Sequence, residues 1–456
     1  MSVRSAAGVS FESEAQVLII GAGAAGLCAA LAAAEAGAEP ALIERDAVPA
    51  GSTALSAGLI PAAGTRFQRA QGIADTAHIF AEDIQRKAHG EADPVLVRAV
   101  AEGAGPTVEW LADTYALPFD VIANFNYPGH SAFRMHGLPS RTGAELIDRL
   151  RAAVEARGIP ILTGAFAETL FAEDGLIRGI AVRRRNGAEH VGCRALVLAC
   201  NGYGGDPALV RRHIPEMRDA LYFGHVGNCG DAIHWGEALG ARLAHLSGYQ
   251  GHGSVATPHN ILITWAAIME GGIQVNTDGR RFHNEALGYS EAAAHVLRQP
   301  CGIAFDIFDE RIAGVARQFP DFRDAEKAGA MFAADTLDAL ASAIAVPPDA
   351  LREEIDALSG EDRFGRHHDS AKALHPPYRA IKVTGSLFHT QGGLAVDAQA
   401  RVLRQDGRTF PNVFAAGGAA AGVSGNTAAG YLSGNGLLTS TVLGRIAGDA
   451  AGRLAL

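Results

Sequence analysis

Cysteine is scarce in this sequence, with five in 456 residues: Cys28, Cys193, Cys200, Cys229 and Cys301. No two are spaced as C-x-x-C, and an odd count leaves one unpaired. Both facts count against a metal site or a disulfide framework and point to a reducing, cytoplasmic setting. Charge is also thin. Asp, Glu, Lys and Arg make up 19% of the chain and the formal net charge is −10. That argues against a nucleic-acid partner, because phosphate binding calls for clustered Lys and Arg. The one basic run, Arg183-Arg184-Arg185, reads as a solvated hairpin edge. Long apolar runs are missing as well. The best candidate, 17 to 34, carries glycines where a strand passes into a helix, so it is not an integral membrane segment. Neither a signal-peptide pattern nor a lipidation motif is recognised. What remains is a globular chain, 48% hydrophobic and with 55 glycines, long enough for two domains and a large core.

The glycines carry the first chemical signal. Gln16-Val17-Leu18-Ile19-Ile20 reads as a strand, and Gly21-Ala22-Gly23-Ala24-Ala25-Gly26 follows at once. An Ala/Leu-rich helix then runs to about Gly37. A second strand, Pro40 to Ile43, ends at Glu44 and Arg45. This is G-x-G-x-x-G between strand and helix, with an acid closing the next strand. Gly21 permits the tight turn, Gly23 lets the backbone approach a pyrophosphate, and Gly26 lets the helix pack close to the strand. The helix N-terminus, with Ala25 in its first turn, offers N–H groups and partial positive charge to the phosphates. Glu44 is placed to accept from ribose hydroxyls and would repel a 2′-phosphate.

Three further segments favour FAD over NAD. Gly51-Ser52-Thr53-Ala54-Leu55-Ser56-Ala57-Gly58 is a small, hydroxyl-rich loop of the kind that passes under a flavin. Ala195 to Gly205, with Ala199, Asn201 and Gly202 at its turn, reads as a buried strand re-entering the nucleotide sheet. Asn412 to Gly418 repeats the strand-plus-glycine pattern, with Gly417 in the turn. The later Ser433-Gly434-Asn435-Gly436-Leu437 opens a helix able to direct its positive end at the flavin pyrimidine.

Together these residues resemble the flavoprotein family of fumarate reductase, succinate dehydrogenase and 3-ketosteroid dehydrogenases. More specific elements are Gly230-Asp231-Ala232, Gly272-Ile273-Gln274-Val275-Asn276, Gly279-Arg280-Arg281-Phe282-His283-Asn284-Glu285 and His389-Thr390-Gln391-Gly392-Gly393. The resemblance implies an α/β fold: a Rossmann-like FAD-binding domain of the glutathione-reductase type with an inserted α+β capping domain. We expect the FAD domain at 1–246 and 375–456, and the cap at 247–374. The resemblance also implies FAD, taken as non-covalent, and a substrate held between cap and flavin.

The branches of the family differ in the residue that moves the proton. Fumarate reductases resemble one another in an Arg a few residues after the Asn-Glu pair, and in a second Arg near the C-terminal glycine turn. Here Tyr289 holds the first position, and Gly425 to Tyr431 contains no Arg. Without those guanidiniums a dicarboxylate loses its bidentate partners and its acid. Asn284-Glu285-Ala286-Leu287-Gly288-Tyr289 looks instead like the ketosteroid dehydrogenase branch. There a Tyr takes a proton while flavin N5 takes a hydride, and a second Tyr helps hold the ketone oxygen. That second position holds Ala428, and Tyr431 lies three residues on. The expected catalytic set is Tyr289, His389, Tyr431 and His252, the histidines matching positions that line fumarate-reductase substrate sites. A free phenol has a pKa of about 10, so Tyr289 needs nearby help to act as a base. Tyr127, Arg134 and Arg141 are secondary candidates, either Arg as a carboxylate clamp.

The reading is a dehydrogenase that introduces a C=C bond α,β to a ketone, with a cyclic or 3-ketosteroid-like substrate. The alternative is a reductase of an activated alkene such as fumarate or another unsaturated carboxylate. An electron-transfer subunit is a third class, but no haem-attachment or cluster-ligand spacing supports it. The partners expected are thus a small ketone or unsaturated acid and an external electron acceptor.

Overall fold

The protein is described from a computed structural model covering residues 1–456 except Asn124 and Asn186. The chain divides into two compact units. One comprises Met1–His213, Gly224–Tyr249 and His389–Leu456; the other comprises Ile214–Phe223 and Gln250–Phe388.

The first unit is organised around the strand Ser13–Ile20. Pro40–Ile43 runs parallel to it on one side and the second half of Gly187–Leu198 on the other, with Val17 opposite Ala195. Thr409–Ala415 pairs parallel to Gly187–Leu198 farther along, Val413 opposite Leu196. Val17, Leu18 and Ile19 are fully buried, as strands covered on both faces of a parallel sheet must be. Gly187–Leu198 also forms a hairpin with Leu176–Arg184. Arg183, Arg184 and Arg185 lie exposed at its end, a solvated edge.

The helix Ala24–Glu35 is packed by the last helix, Asn435–Ala455. The contact is made backbone to backbone through small residues one turn apart. A Cβ on Gly444 would stand 2.4 Å from the Ala25 carbonyl oxygen, and one on Gly448 would stand 2.1 Å from that of Ala29. Helix propensity alone would reward replacing either glycine, by about 1 kcal/mol. Here the neighbour is main chain and cannot swing aside. We expect Gly448→Val to lower stability by about 1–3 kcal/mol. Gly314, in the helix Glu310–Ala316, has nothing within 4 Å of an added Cβ, so Gly314→Ala should raise stability. Thermal melts of the two variants check this, and shifts of the same sign would refute the packing argument.

The second unit is built on a sheet ordered Ile261–Leu262, Tyr249–Ala256, Tyr378–Thr390, Ile303–Asp309, Ile273–Val275. Leu221–Tyr222 and Met331–Ala334 pair with Tyr378–Thr390 as well. Its core gathers Ile273, Val275, Ile307, Phe308, Leu340, Leu351, Ile381 and Val383. Among the described residues, no helix is long and apolar enough to cross a membrane.

Candidate active site

In the first unit the glycine turn has the shape a pyrophosphate requires. Gly21 has φ 104°, and a Cβ there would lie 2.4 Å from the Ala199 carbonyl oxygen. A Cβ on Gly26 would lie 1.8 Å from the oxygen of Gly21, so strand and helix touch through it. A Cβ on Gly23 would meet nothing nearer than Thr53 Oγ1 at 3.6 Å. Gly23 thus lacks the close backbone packing seen at Gly21 and Gly26, and a Cβ there would make only an ordinary van der Waals contact with Thr53. Glu44 Oε2 accepts from the Ala22 N–H at 2.8 Å, and Thr53 Oγ1 accepts from the Ala24 N–H at 3.1 Å. Thr53 belongs to a single helical turn, Gly51–Ala54, where the sequence reads as a plain loop. Gly58, with φ 66°, packs on the carbonyl of Thr142 and closes the segment that holds Ser56 and Ala57.

The remaining nucleotide-side residues gather around these. Asn201 adopts φ 66° and its Oδ1 accepts from Gly202 N–H. Gly202 in turn packs on Thr390 Oγ1, which also accepts from Tyr203 N–H. Gly417, at φ 60°, sits 3.1 Å by its virtual Cβ from Ala25. Ser52 Oγ accepts from Asn228 Nδ2 at 2.9 Å. Arg45 and Asp231 form an ion pair with each other, and Arg45 also donates to the Gly227 carbonyl at 2.6 Å. Their charges thus tie two distant segments together. Asn435 is fully buried, and its Oδ1 has no hydrogen-bond partner in the protein. A buried acceptor of this kind, at a helix N-terminus beside Gly436 and Leu437, suits a bound group that carries an N–H. These features fit an FAD, with Gly23 and the first helix at the phosphates.

The same unit brings His389 and Tyr431 together, their rings 5.5 Å apart and edge to face. Burial holds His389 at about 4, against the opposing pull of the Thr390 carbonyl, so the ring is neutral at pH 7. Burial pushes the Tyr431 phenol up, opposed by the backbone N–H groups of Gly436 and Gly434.

In the second unit Tyr289 and His252 stack, with ring centroids 4.9 Å apart and planes 20° apart. Trp265 stands edge to face with His252, and Phe388 closes the cluster at 5.5 Å. The sequence explains the approach. A Cβ on Gly253 would lie 2.5 Å from the Cβ of Ala292, and Gly251 N–H donates to Ser290 Oγ at 3.0 Å. The strand Tyr249–Ala256 is therefore drawn against the helix Tyr289–Leu297, of which Tyr289 is the first residue. His252 Nδ1 accepts from the Ser254 backbone N–H at 3.1 Å, and a main-chain N–H can only donate. The neutral ring therefore carries its proton on Nε2. Burial lowers His252 to about 3. In a stacked pair the in-plane lone pairs of imidazole do not aim at the phenol, so the help expected from His252 is that of a neutral aromatic neighbour rather than a proton acceptor.

Just ahead of Tyr289, Glu285 is clamped. It accepts from Arg281 Nε at 2.9 Å, Arg281 Nη2 at 2.6 Å, Arg366 Nη1 at 2.9 Å and Gln274 N–H at 3.1 Å. Arg366 also donates to the Gly272 and Ile268 carbonyls, and Arg281 to Asp362. Burial alone would raise Glu285; Arg281 and Arg366 outweigh it and hold the carboxyl at about 2, below its ordinary 4.5. A depressed carboxyl contributes stability that is full above 4.5 and fades as pH falls through about 2. Urea melts between those limits should show wild type losing stability more steeply than Glu285→Gln. Parallel slopes would remove Glu285 from that role.

Two secondary candidates are engaged elsewhere. Arg134 is 1% exposed and donates to Asp75 from Nε at 2.7 Å and Nη2 at 2.9 Å, and to Asp83 from Nη1. It also donates to His130 Nδ1, whose Nε2 contacts the Ser433 carbonyl at 2.9 Å. The clamp expectation for Arg134 is therefore corrected: its guanidinium is already saturated by two buried carboxylates. Tyr127 packs with Leu59, Ile122 and Met135, and burial pushes its phenol to about 12. Arg141 is exposed. Sequence reasoning missed Arg366, Trp265 and Phe388, and gave no role to Gln391 or Ser424.

Residues 16–437 match the FAD binding domain family. A protein described as a probable fumarate reductase, from Shewanella frigidimarina (strain NCIMB 400), is 31% identical over 449 residues, spanning 97% of this chain and 75% of its own length. The open conformation of a flavocytochrome c3 fumarate reductase has a TM-score of 0.84 at 30% identity, covering 99% of this chain and 80% of that one. The 3-ketosteroid-Δ4-(5α)-dehydrogenase of Rhodococcus jostii RHA1, in complex with 4-androstene-3,17-dione, has a TM-score of 0.80 at 26% identity, covering 99% and 100%. The chain thus belongs to the FAD binding domain family and is an FAD-dependent oxidoreductase acting on CH–CH groups.

Proposed function

We propose that the enzyme is a dehydrogenase that introduces a C=C bond α,β to a ketone. The observation that carries this reading is the phenol of Tyr289 at the head of its helix, in an aromatic cluster, while Arg281 and Arg366 are engaged by Glu285, Asp362 and main-chain carbonyls. A dicarboxylate would find those guanidiniums occupied. Bound FAD supplies the two-electron acceptor. From the chain, Tyr289 removes the proton next to the ketone. His389 and Tyr431 donate to the ketone oxygen, where charge develops as that proton leaves. One such donor is worth roughly 3–4 kcal/mol in an oxyanion hole. Cyclic 3-keto and 4-oxo compounds suit this chemistry. Cytoplasmic placement belongs to the same reading and rests on five free cysteines.

The second reading, reduction of an activated alkene such as fumarate, is favoured by the likeness to fumarate reductases in sequence and fold. Anaerobic mixing separates the two. Cyclic ketones should bleach the oxidised flavin band within the turnover time. An intact band across a broad ketone panel, with rapid reoxidation of the reduced enzyme by fumarate, would establish the second reading and end the first.

A further inference from the structure

A neutral imidazole presents either a donor or an acceptor at Nε2, and the partner of Nδ1 decides which. In His389 the Nε2 edge faces Gly436, where a Cβ would lie 2.8 Å from Nε2 and 2.9 Å from Cε1. Nδ1 lies 3.0 Å from Gln391 Nε2. Gln391 Oε1 accepts from the Ser424 hydroxyl at 2.7 Å, so its NH₂ end is the one turned toward the imidazole. Ser424 Oγ accepts in turn from Asn435 Nδ2 at 3.0 Å, which directs the Ser424 hydrogen to Gln391. Gln391, Ser424 and Asn435 are 5%, 1% and 0% exposed, so water does not scramble the links. The Thr390 carbonyl also faces Nδ1, at 3.4 Å. It lies farther away than the Gln391 amide and is the weaker partner.

We propose that Gln391, Ser424 and Asn435 are positioning residues forming a one-way hydrogen-bond chain that holds His389 as its Nε2–H tautomer. Granted the reading that places His389 at the substrate, the ring then meets a substrate oxygen as a donor and takes no part as a base. The assignment leaves proton removal to Tyr289. The depressed basicity of the ring, which keeps it neutral, agrees with this division.

The test is nitrogen NMR on FAD-loaded enzyme labelled with ¹⁵N-histidine, the His389 signals being identified by their loss in His389→Gln. The wild-type ring should show a pyridine-type Nδ1 and a pyrrole-type Nε2. Gln391→Glu puts an acceptor opposite Nδ1 and should move the proton there, or raise the ring's titration. Ser424→Ala frees the Gln391 amide and should give a mixture of tautomers; it also serves if Gln391→Glu does not fold. Turnover at saturating substrate should fall on the order of tenfold in either variant, as for other lost orienting partners of histidine. A protonated Nδ1 in the wild type, which is the chain reversed with each amide turned over, overturns the proposal. So does an unchanged tautomer in both variants. A shifted tautomer with unchanged turnover upholds the chain and instead removes His389 from the reaction.

Discussion

Tyr289→Phe should lower kcat by about 10²–10⁴-fold, the range for loss of a general acid or base, while bound FAD and the melting temperature stay near wild type. The reason lies in how the ring is held. Tyr289 stacks on His252 and meets Trp265 with its apolar body, and Phe keeps both contacts. Only the hydroxyl is lost. The polypeptide around it is set independently, because Glu285 is fixed by Arg281 and Arg366 and the helix follows directly. A structural role for the phenol predicts the opposite pattern, a lowered melting temperature with turnover preserved. KM should move little, since a proton-transferring group acts in the transition state more than in binding. If kcat is unchanged with ketone substrates, the desaturase reading falls, and the reductase reading needs a different acid.

The second large effect concerns Arg134, and it is one of stability. Arg134→Leu should destabilise the fold by about 3–5 kcal/mol, because removing one member of a buried ionic cluster strands the other charges. Those charges are Asp75 and Asp83, both bound to the guanidinium. Burial alone would raise Asp83; Ser131 and Arg134 together hold it near 2, so losing Arg134 removes part of what keeps the carboxylate charged and leaves the cost of its burial. Part of the damage travels. His130 accepts from Arg134 and meets the Ser433 carbonyl, just ahead of the final helix. We therefore expect weaker FAD retention along with the lower melting point, and an unchanged KM in molecules that remain folded. Arg141→Ala, at an exposed position, should shift stability by less than about 0.5 kcal/mol. A raised KM in Arg134→Leu, without a stability change, would restore the carboxylate clamp.

The two residues show what a sequence can and cannot carry. Gly21, Gly23 and Gly26 are legible because their spacing follows from local geometry: one turn, one approach, one close packing, all within six positions. The helix opening at Asn435 is legible for the same reason. Tyr289 stands out because the family resemblance implies an Arg in one branch and a Tyr in the other at that position. Arg134 gives no such sign. A lone Arg between Phe133 and Met135 reads the same whether it faces solvent or two buried carboxylates. Arg45 and Asp231 are 186 positions apart, and only the fold makes them a pair. The Gln391–Ser424–Asn435 chain joins three polar residues of ordinary type, and direction in a hydrogen-bond chain is a property of geometry alone.

The glycine seam between the first and last helices bears on how the molecule is made. Ala24–Glu35 finds its main partner in Asn435–Ala455, and the sheet beneath gains Thr409–Ala415 at nearly the same late moment. During synthesis the N-terminal segment emerges roughly 400 residues before the elements that cover it, at least about 20 s ahead at the usual pace of translation. The face that carries Ala25 and Ala29 has no partner until the last helix is made. The inserted unit, whose strands are closer in sequence, can be finished while the nucleotide half still waits. Loss of the helix Asn435–Ala455 would leave that one face of Ala24–Glu35 open to water.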